Sequence, residues 1–195
     1  LGAKLTNIYS KEFTIETVSK GQKYIQTFSD NMSIIGKPKI TKSSGKEYTK
    51  ISFIPDYSKF GLKKLDQYDN IDILKKRVFD ISAITNKRVS IHYNDSKINC
   101  KDFSDYISYY IGPKSKSPRV YYENDNWEIG VALSSNDCFQ QVSFVNGIST
   151  TDGGSHIDHV ILPIMKRCTE EIQAKHKNIT VKQQYVKDSL FIFVN

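Results

Sequence analysis

The stretch from Val142 to Asp158 constrains the fold more than any other part of this chain. It runs Val-Ser-Phe-Val-Asn-Gly-Ile-Ser-Thr-Thr-Asp-Gly-Gly-Ser-His-Ile-Asp. Val142 and Phe144 alternate with Ser143 and mark a strand. The strand runs into Asn146-Gly147 and then two threonines, a loop that carries specific backbone demands. Asp152-Gly153-Gly154-Ser155 follows, with Ser155 or Asp152 as the expected cap of a helix over about 156–174. Strand, loop, paired glycines and helix start in one short run leave few possible backbones.

Short strands and hairpins fill the first third. Phe13–Val18 and Lys23–Phe28 alternate on either side of Ser19-Lys20-Gly21-Gln22. Lys37-Pro38-Lys39-Ile40 marks an edge, since proline gives no ladder N–H. Tyr48–Ile54 is a further strand, stopped by Pro55-Asp56. Asp69-Asn70 should cap a helix over about 71–83. Ile71, Leu74, Val78, Phe79 and Ile81 form its apolar face. Lys75, Lys76 and Arg77 point outward and, with Lys63 and Lys64, form a solvated cluster. The spacing predicts a strand over 88–93, a turn over 94–97 and a helix carrying Phe103, Tyr106, Ile107 and Tyr110. The polar run 112–118 holds two of the five prolines and is the expected linker. Hairpin strands over 120–123 and 127–133 come next, and strands over 181–185 and 190–194 close the chain. Pro163 should kink the preceding long helix or thin its ladder. The class is α+β, in two domains, 1–117 and 118–195.

Lysine and arginine number 28 against 21 aspartates and glutamates, a net charge of +7. That balance suits either an anionic partner or a lysine-rich surface. Cys100, Cys138 and Cys168 form no CxxC pair, which argues against zinc and for a reducing compartment. His156 and His159 lack a third ligand at suitable spacing and are expected to pack or face solvent. No apolar run reaches membrane-spanning length. Leu1 rather than Met opens the chain inside a motif, so the sequence is expected to be part of a longer protein.

Four segments together resemble the type IIA DNA topoisomerases, the eukaryotic type most of all. The Val142–Asp158 run is similar to the family's transducer signature. Gly2-Ala3-Lys4-Leu5-Thr6-Asn7-Ile8-Tyr9-Ser10 looks like the end of its glycine-rich ATP lid, with Leu1 where the family usually has Tyr. Gly21–Gln26 with Asn31-Met32-Ser33 resembles its central hairpin. Val186–Asn195 looks like the strand before its catalytic lysine loop. The resemblance implies the C-terminal part of a GHKL ATPase α/β sandwich, followed by a transducer domain like ribosomal protein S5.

Further expectations come from that resemblance. Leu1, Gly2, Ala3 and Lys4 would lie at the triphosphate of ATP. Lys175, His176 and Lys177 match a lysine-rich loop that touches double-stranded DNA, with Lys182 a weaker match. The parent would be an ATP-hydrolysing topoisomerase acting as a homodimer. It would work in the nucleus of a eukaryote, or in the host cytoplasm or virion for a virus, without a membrane. The family's catalytic Glu and its Mg²⁺-holding Asn lie before residue 1, its Gln-Thr-Lys loop after residue 195, and its cleavage tyrosine in another domain. No catalytic or metal residue is therefore expected here, and the segment alone should be inactive. Two other readings are a MutL-like or heat-shock-chaperone ATPase segment, and a freestanding basic nucleic-acid-binding module.

Overall fold

A computed structural model describes residues 1–66 and 68–195. They form two compact units, Leu1–Ile71 and Asp72–Asn195.

The first unit is a short helix and an antiparallel sheet. Helix α1 (Gly2–Ile8) leads into β1 (Ser10–Ser19), which pairs with β2 (Gln22–Ser29). Lys20 (φ 49°) and Gly21 (φ 75°) both lie at positive φ, as the two-residue turn requires. The strands β3 (Ile34–Ile35) and β4 (Lys39–Lys42) pair with successive halves of β2. On the other side of β1 lies β5 (Tyr48–Pro55). Phe13 anchors the centre: it is buried, with the Phe28 ring 6.4 Å and the Phe53 ring 6.5 Å away. Thr14 and Thr27 share a hydroxyl hydrogen bond of 2.9 Å across the pair, a cross-strand contact of the kind that stabilises sheets. After β5, Asp56 caps a 3₁₀ turn over Tyr57–Phe60. The Ser58 hydroxyl, 2.6 Å away, holds its carboxyl below the usual carboxylate range. That contribution is present above the ordinary carboxylate pKa and lost as pH falls through the lowered one.

The second unit is a five-stranded sheet with helices on both faces. Helix α2 (Asn70–Ile84) runs into it, and the hairpin of β6 (His92–Tyr93) and β7 (Ser96–Lys97) follows. Then come α3 (Phe103–Ile111), β8 (Arg119–Glu123), β9 (Glu128–Leu133), β10 (Gln140–Val145) and β11 (Ile148–Ser149). The chain ends with α4 (Ser155–Lys175), α5 (Gln183–Asp188) and β12 (Leu190–Val194). The sheet order is β11-β10-β12-β9-β8, with β10 and β12 parallel and the other pairs antiparallel.

The run Leu190-Phe-Ile-Phe-Val194 is apolar at every position because β12 is central and covered on both faces. Leu190, Ile192 and Val194 pack with Ile157, Val160, Ile161 and Met165 of α4. Phe191 and Phe193 pack with Phe103, Tyr106 and Ile107 of α3 and with Phe144. Gly130 sits where α3 presses closest: a Cβ there would lie 2.4 Å from Ile107 Cδ1 and 3.4 Å from Phe193 Cβ. Ile107 is fully buried and has nowhere to move. Gly130→Ala is therefore expected to destabilise this unit by about 1–3 kcal/mol. Fluorescence of the sole tryptophan, Trp127, during urea unfolding measures it.

The compact units meet at 71/72, and the polar run 112–118 lies inside the second, where α3 buries its apolar face in the sheet. Arg119 holds that run to α3, donating to Ser108 Oγ and the Gly112 carbonyl. Several expectations need correction. The strand over 88–93 shrinks to His92–Tyr93, since Asn86 turns the chain by accepting from the Arg88 N–H. The strand over 181–185 is instead the helix α5, which buries Val186 against the α4 core. The first half of α2 is exposed at Ile71 and Leu74; burial starts only near Phe79. Pro163 lies inside α4, as expected, and the helix runs from Ser155 to Lys175. Pro163 and His159 are both exposed, so the His159 carbonyl that loses its partner can turn to water.

Candidate functional site

Three places bear on the expectations drawn from the sequence, one in the first unit and two in the second. In the first, Leu1 stands at the N-cap of α1 without a side-chain cap bond, 97% exposed. Gly2, Ala3 and Lys4 form the exposed first turn. The earliest hydrogen bond runs from the Leu5 N–H to the Leu1 carbonyl at 3.0 Å. The N–H groups before it have no intrahelical acceptor, and they carry the helix's partial positive charge. No Cβ placed on Gly2 would meet any atom within 4 Å, so the turn is open on that side. Further along, Asn7 is buried with its Oδ1 unpartnered. Ser10 ties the end of the helix by donating to the Thr6 carbonyl at 2.6 Å.

A polar network holds the signature loop of the second unit, with the buried Gln141 Oε1 left without a hydrogen-bond partner. Asn146 (φ 49°) and Gly147 (φ 79°) make a tight turn between β10 and β11. The Thr150 N–H donates to the Ser143 carbonyl at 2.8 Å. The Ser143 and Thr150 hydroxyls meet at 2.5 Å, and Thr150 Oγ1 lies 3.1 Å from His156 Nε2. Gln141 Nε2 donates to the Thr150 and Thr151 carbonyls at 3.2 and 2.7 Å. His156 thus packs into the loop, while His159 stays exposed, its ring 6.1 Å from that of Trp127. The capping expectation needs correction. Neither Ser155 nor Asp152 caps α4; Gly154 occupies the N-cap with φ 146°, and no side chain bonds there. The Ile157 N–H reaches the Gly154 carbonyl instead, at 2.9 Å.

Two long-range contacts of α2 were not visible in the sequence. Arg77 was expected to point into solvent, yet its guanidinium donates to the Gly147 carbonyl at 3.0 Å, bracing the hairpin turn. Lys76, from the same expected surface cluster, pairs with buried Asp80 at 2.9 Å. Asp80 also accepts from the Tyr106 hydroxyl at 2.5 Å, joining α2 to α3. Burial, and then this bond, raise the Tyr106 phenol well above its ordinary pKa. The partners lie 70 and 26 residues apart in the chain, and no local pattern links them.

The third place is the end of α4. Lys175 is its last residue and His176 its C-cap, with the His176 N–H on the Ile172 carbonyl at 2.9 Å. Lys175, His176 and Lys177 are all exposed. Cations here complement the negative end of the helix dipole.

Residues 92–195 match the family described as DNA gyrase B. The chain belongs to the DNA gyrase B family. Within it, DNA topoisomerase 2 of Arabidopsis thaliana is 42% identical over 204 residues, covering 100% of this chain and 14% of that protein. DNA topoisomerase 2 of Acanthamoeba polyphaga mimivirus is 41% identical over 201 residues, covering 100% of this chain and 16% of that protein. The crystal structure of the ATPase and transducer domains of DNA topoisomerase II from Balamuthia mandrillaris matches with a TM-score of 0.88 and 36% identity. That alignment covers all of this chain and 50% of the other. This DNA gyrase B family member thus spans about one seventh of the curated relatives it matches. Its mixed α/β fold is that of topoisomerase II ATPase and transducer domains.

Proposed function

We propose that this chain is the joint of an ATP-driven clamp in a type II DNA topoisomerase. The enzyme passes one duplex through a transient double-strand break in another. The observation that carries this reading is the end-to-end match to DNA topoisomerase 2 proteins and to an ATPase-and-transducer structure. Residues 1–117 derive from the nucleotide-binding domain and 118–195 from the transducer. No observation favours a MutL-like or chaperone-type protein, or a freestanding basic module. No described helix is long and apolar enough to cross a membrane. With eukaryotic and mimiviral relatives, the protein acts on nuclear or viral DNA.

Leu1, Gly2, Ala3 and Lys4 contact the ATP triphosphate in this reading. The open first turn of α1 supplies backbone N–H groups, small residues let phosphate oxygens approach, and Lys4 adds a point charge. In this reading the ligands of Mg²⁺ and the groups that carry hydrolysis belong to other parts of the ATPase region. Homodimerisation belongs to the ATPase region as a whole.

Lys175, His176 and Lys177 contact DNA phosphates from the end of α4. Such contacts position a duplex without reading its sequence. In the intact protein, the Lys175→Ala/Lys177→Ala pair is expected to lower DNA-stimulated ATP turnover while leaving ATP affinity unchanged. The salt dependence of DNA binding should flatten by about two units of slope. Undiminished stimulation would overturn the assignment.

A further inference from the structure

The end of α2 and the β6–β7 hairpin enclose a cavity of about 350 Å³. Ser82, Ile98 and Cys100 form the more buried portion of its lining, and three lysines, Lys87, Lys97 and Lys101, the exposed portion. Their charge is poorly answered. Lys87 reaches Asp102 only at 3.7 Å, and Asp102 already accepts from the Asp105 N–H as the cap of α3. Asp105 is engaged as well, accepting the backbone N–H of Lys101 at 3.1 Å. Among the described residues, neither Lys97 nor Lys101 has an ion-pair partner. Burial pushes the Cys100 thiol above its ordinary range, so it stays protonated and brings no negative charge.

We propose that this cavity is a phosphate-binding site. Concave walls lined by one sign of charge concentrate counter-ions. Three ammonium groups offer about nine N–H donors, more than the two oxygens of a carboxylate can accept. A phosphate group has the charge and the oxygens to engage all three, and the cavity is large enough to admit an attached sugar. The phosphate belongs either to a small phosphorylated ligand or to a nucleic-acid backbone. The proposal is independent of the α4 contacts, since Lys175 and Lys177 do not line this cavity.

Cys100 supplies a local reporter. In the intact protein, methyl methanethiosulfonate labelling of Cys100 is followed by peptide mass spectrometry, with exposed Cys138 as internal reference. Three conditions are compared at equal ionic strength: chloride, inorganic phosphate and a short DNA duplex. Occupancy is expected to slow Cys100 labelling threefold or more relative to chloride. Lys97→Gln/Lys101→Gln should abolish that protection. Protection by inorganic phosphate assigns a small ligand, and protection by the duplex alone assigns a backbone phosphate; either supports the site. Equal labelling in all three conditions, or protection that survives the double substitution, overturns it.

Discussion

Replacing Phe193 with alanine is expected to destabilise the second unit by about 3–5 kcal/mol, the cost of emptying a large aromatic site that cannot collapse. Phe193 is 0% exposed on the central strand β12. Its ring stacks on Phe191 at 4.3 Å and meets the edge of Tyr110 at 5.6 Å. Neighbouring β-strands and α3 fix the walls of the site, so the void would persist. Urea unfolding followed by Trp127 fluorescence should show an earlier midpoint with an unchanged slope. Trp127 reports on this unit because it packs against the α4 side of the same sheet. A loss below about 1 kcal/mol, the scale of an ordinary surface change, would mean that the two-faced packing of β12 is wrong.

Gly154→Ala is expected to cost about 1–3 kcal/mol. Gly154 combines φ 146° with a fully extended ψ, a region open essentially to glycine alone. An added Cβ would also lie 3.2 Å from the His156 ring. The N-cap must move, and the 3.1 Å Thr150–His156 contact goes with it. Gly153→Ala is the control. Gly153 lies at φ 75°, and a Cβ there meets nothing closer than 3.8 Å. A side chain enters that left-handed region at lower cost. Trp127 fluorescence again reports, since His159 on the first turns of α4 lies against that ring. Equal losses for the two variants would contradict the backbone argument.

Much of this was legible in the sequence, for local reasons. The hairpin turn at Ser19–Gln22 follows from Gly21, which takes positive φ without steric cost. The run at 190–194 reads as a strand in the sequence, while its cover on both faces shows only in the sheet order. Where the reading failed, distant contacts decided the outcome. Val181–Tyr185 alternates like a strand, but Val186 finds burial only if the chain coils against α4. Arg77 lies on a charged stretch that looks solvated, yet the Gly147 carbonyl lies within its reach. The expected caps failed because φ 146° at Gly154 starts α4 without a side-chain acceptor. The exposed ends, Leu1–Lys4 and Lys175–Lys177, hold few internal contacts. Their roles rest on the family resemblance rather than on any geometry that composition or periodicity dictates.

The central claim is that α1 begins at a triphosphate while the end of α4 serves DNA. The most direct test is the affinity of the intact protein for a non-hydrolysable ATP analogue, measured by calorimetry. Removing a charge-assisted phosphate contact costs about 1.5–3 kcal/mol, so Lys4→Ala should weaken binding roughly tenfold or more. Lys175→Ala/Lys177→Ala should leave that affinity unchanged. Native affinity in Lys4→Ala, or a tenfold loss in the α4 pair, would contradict the account.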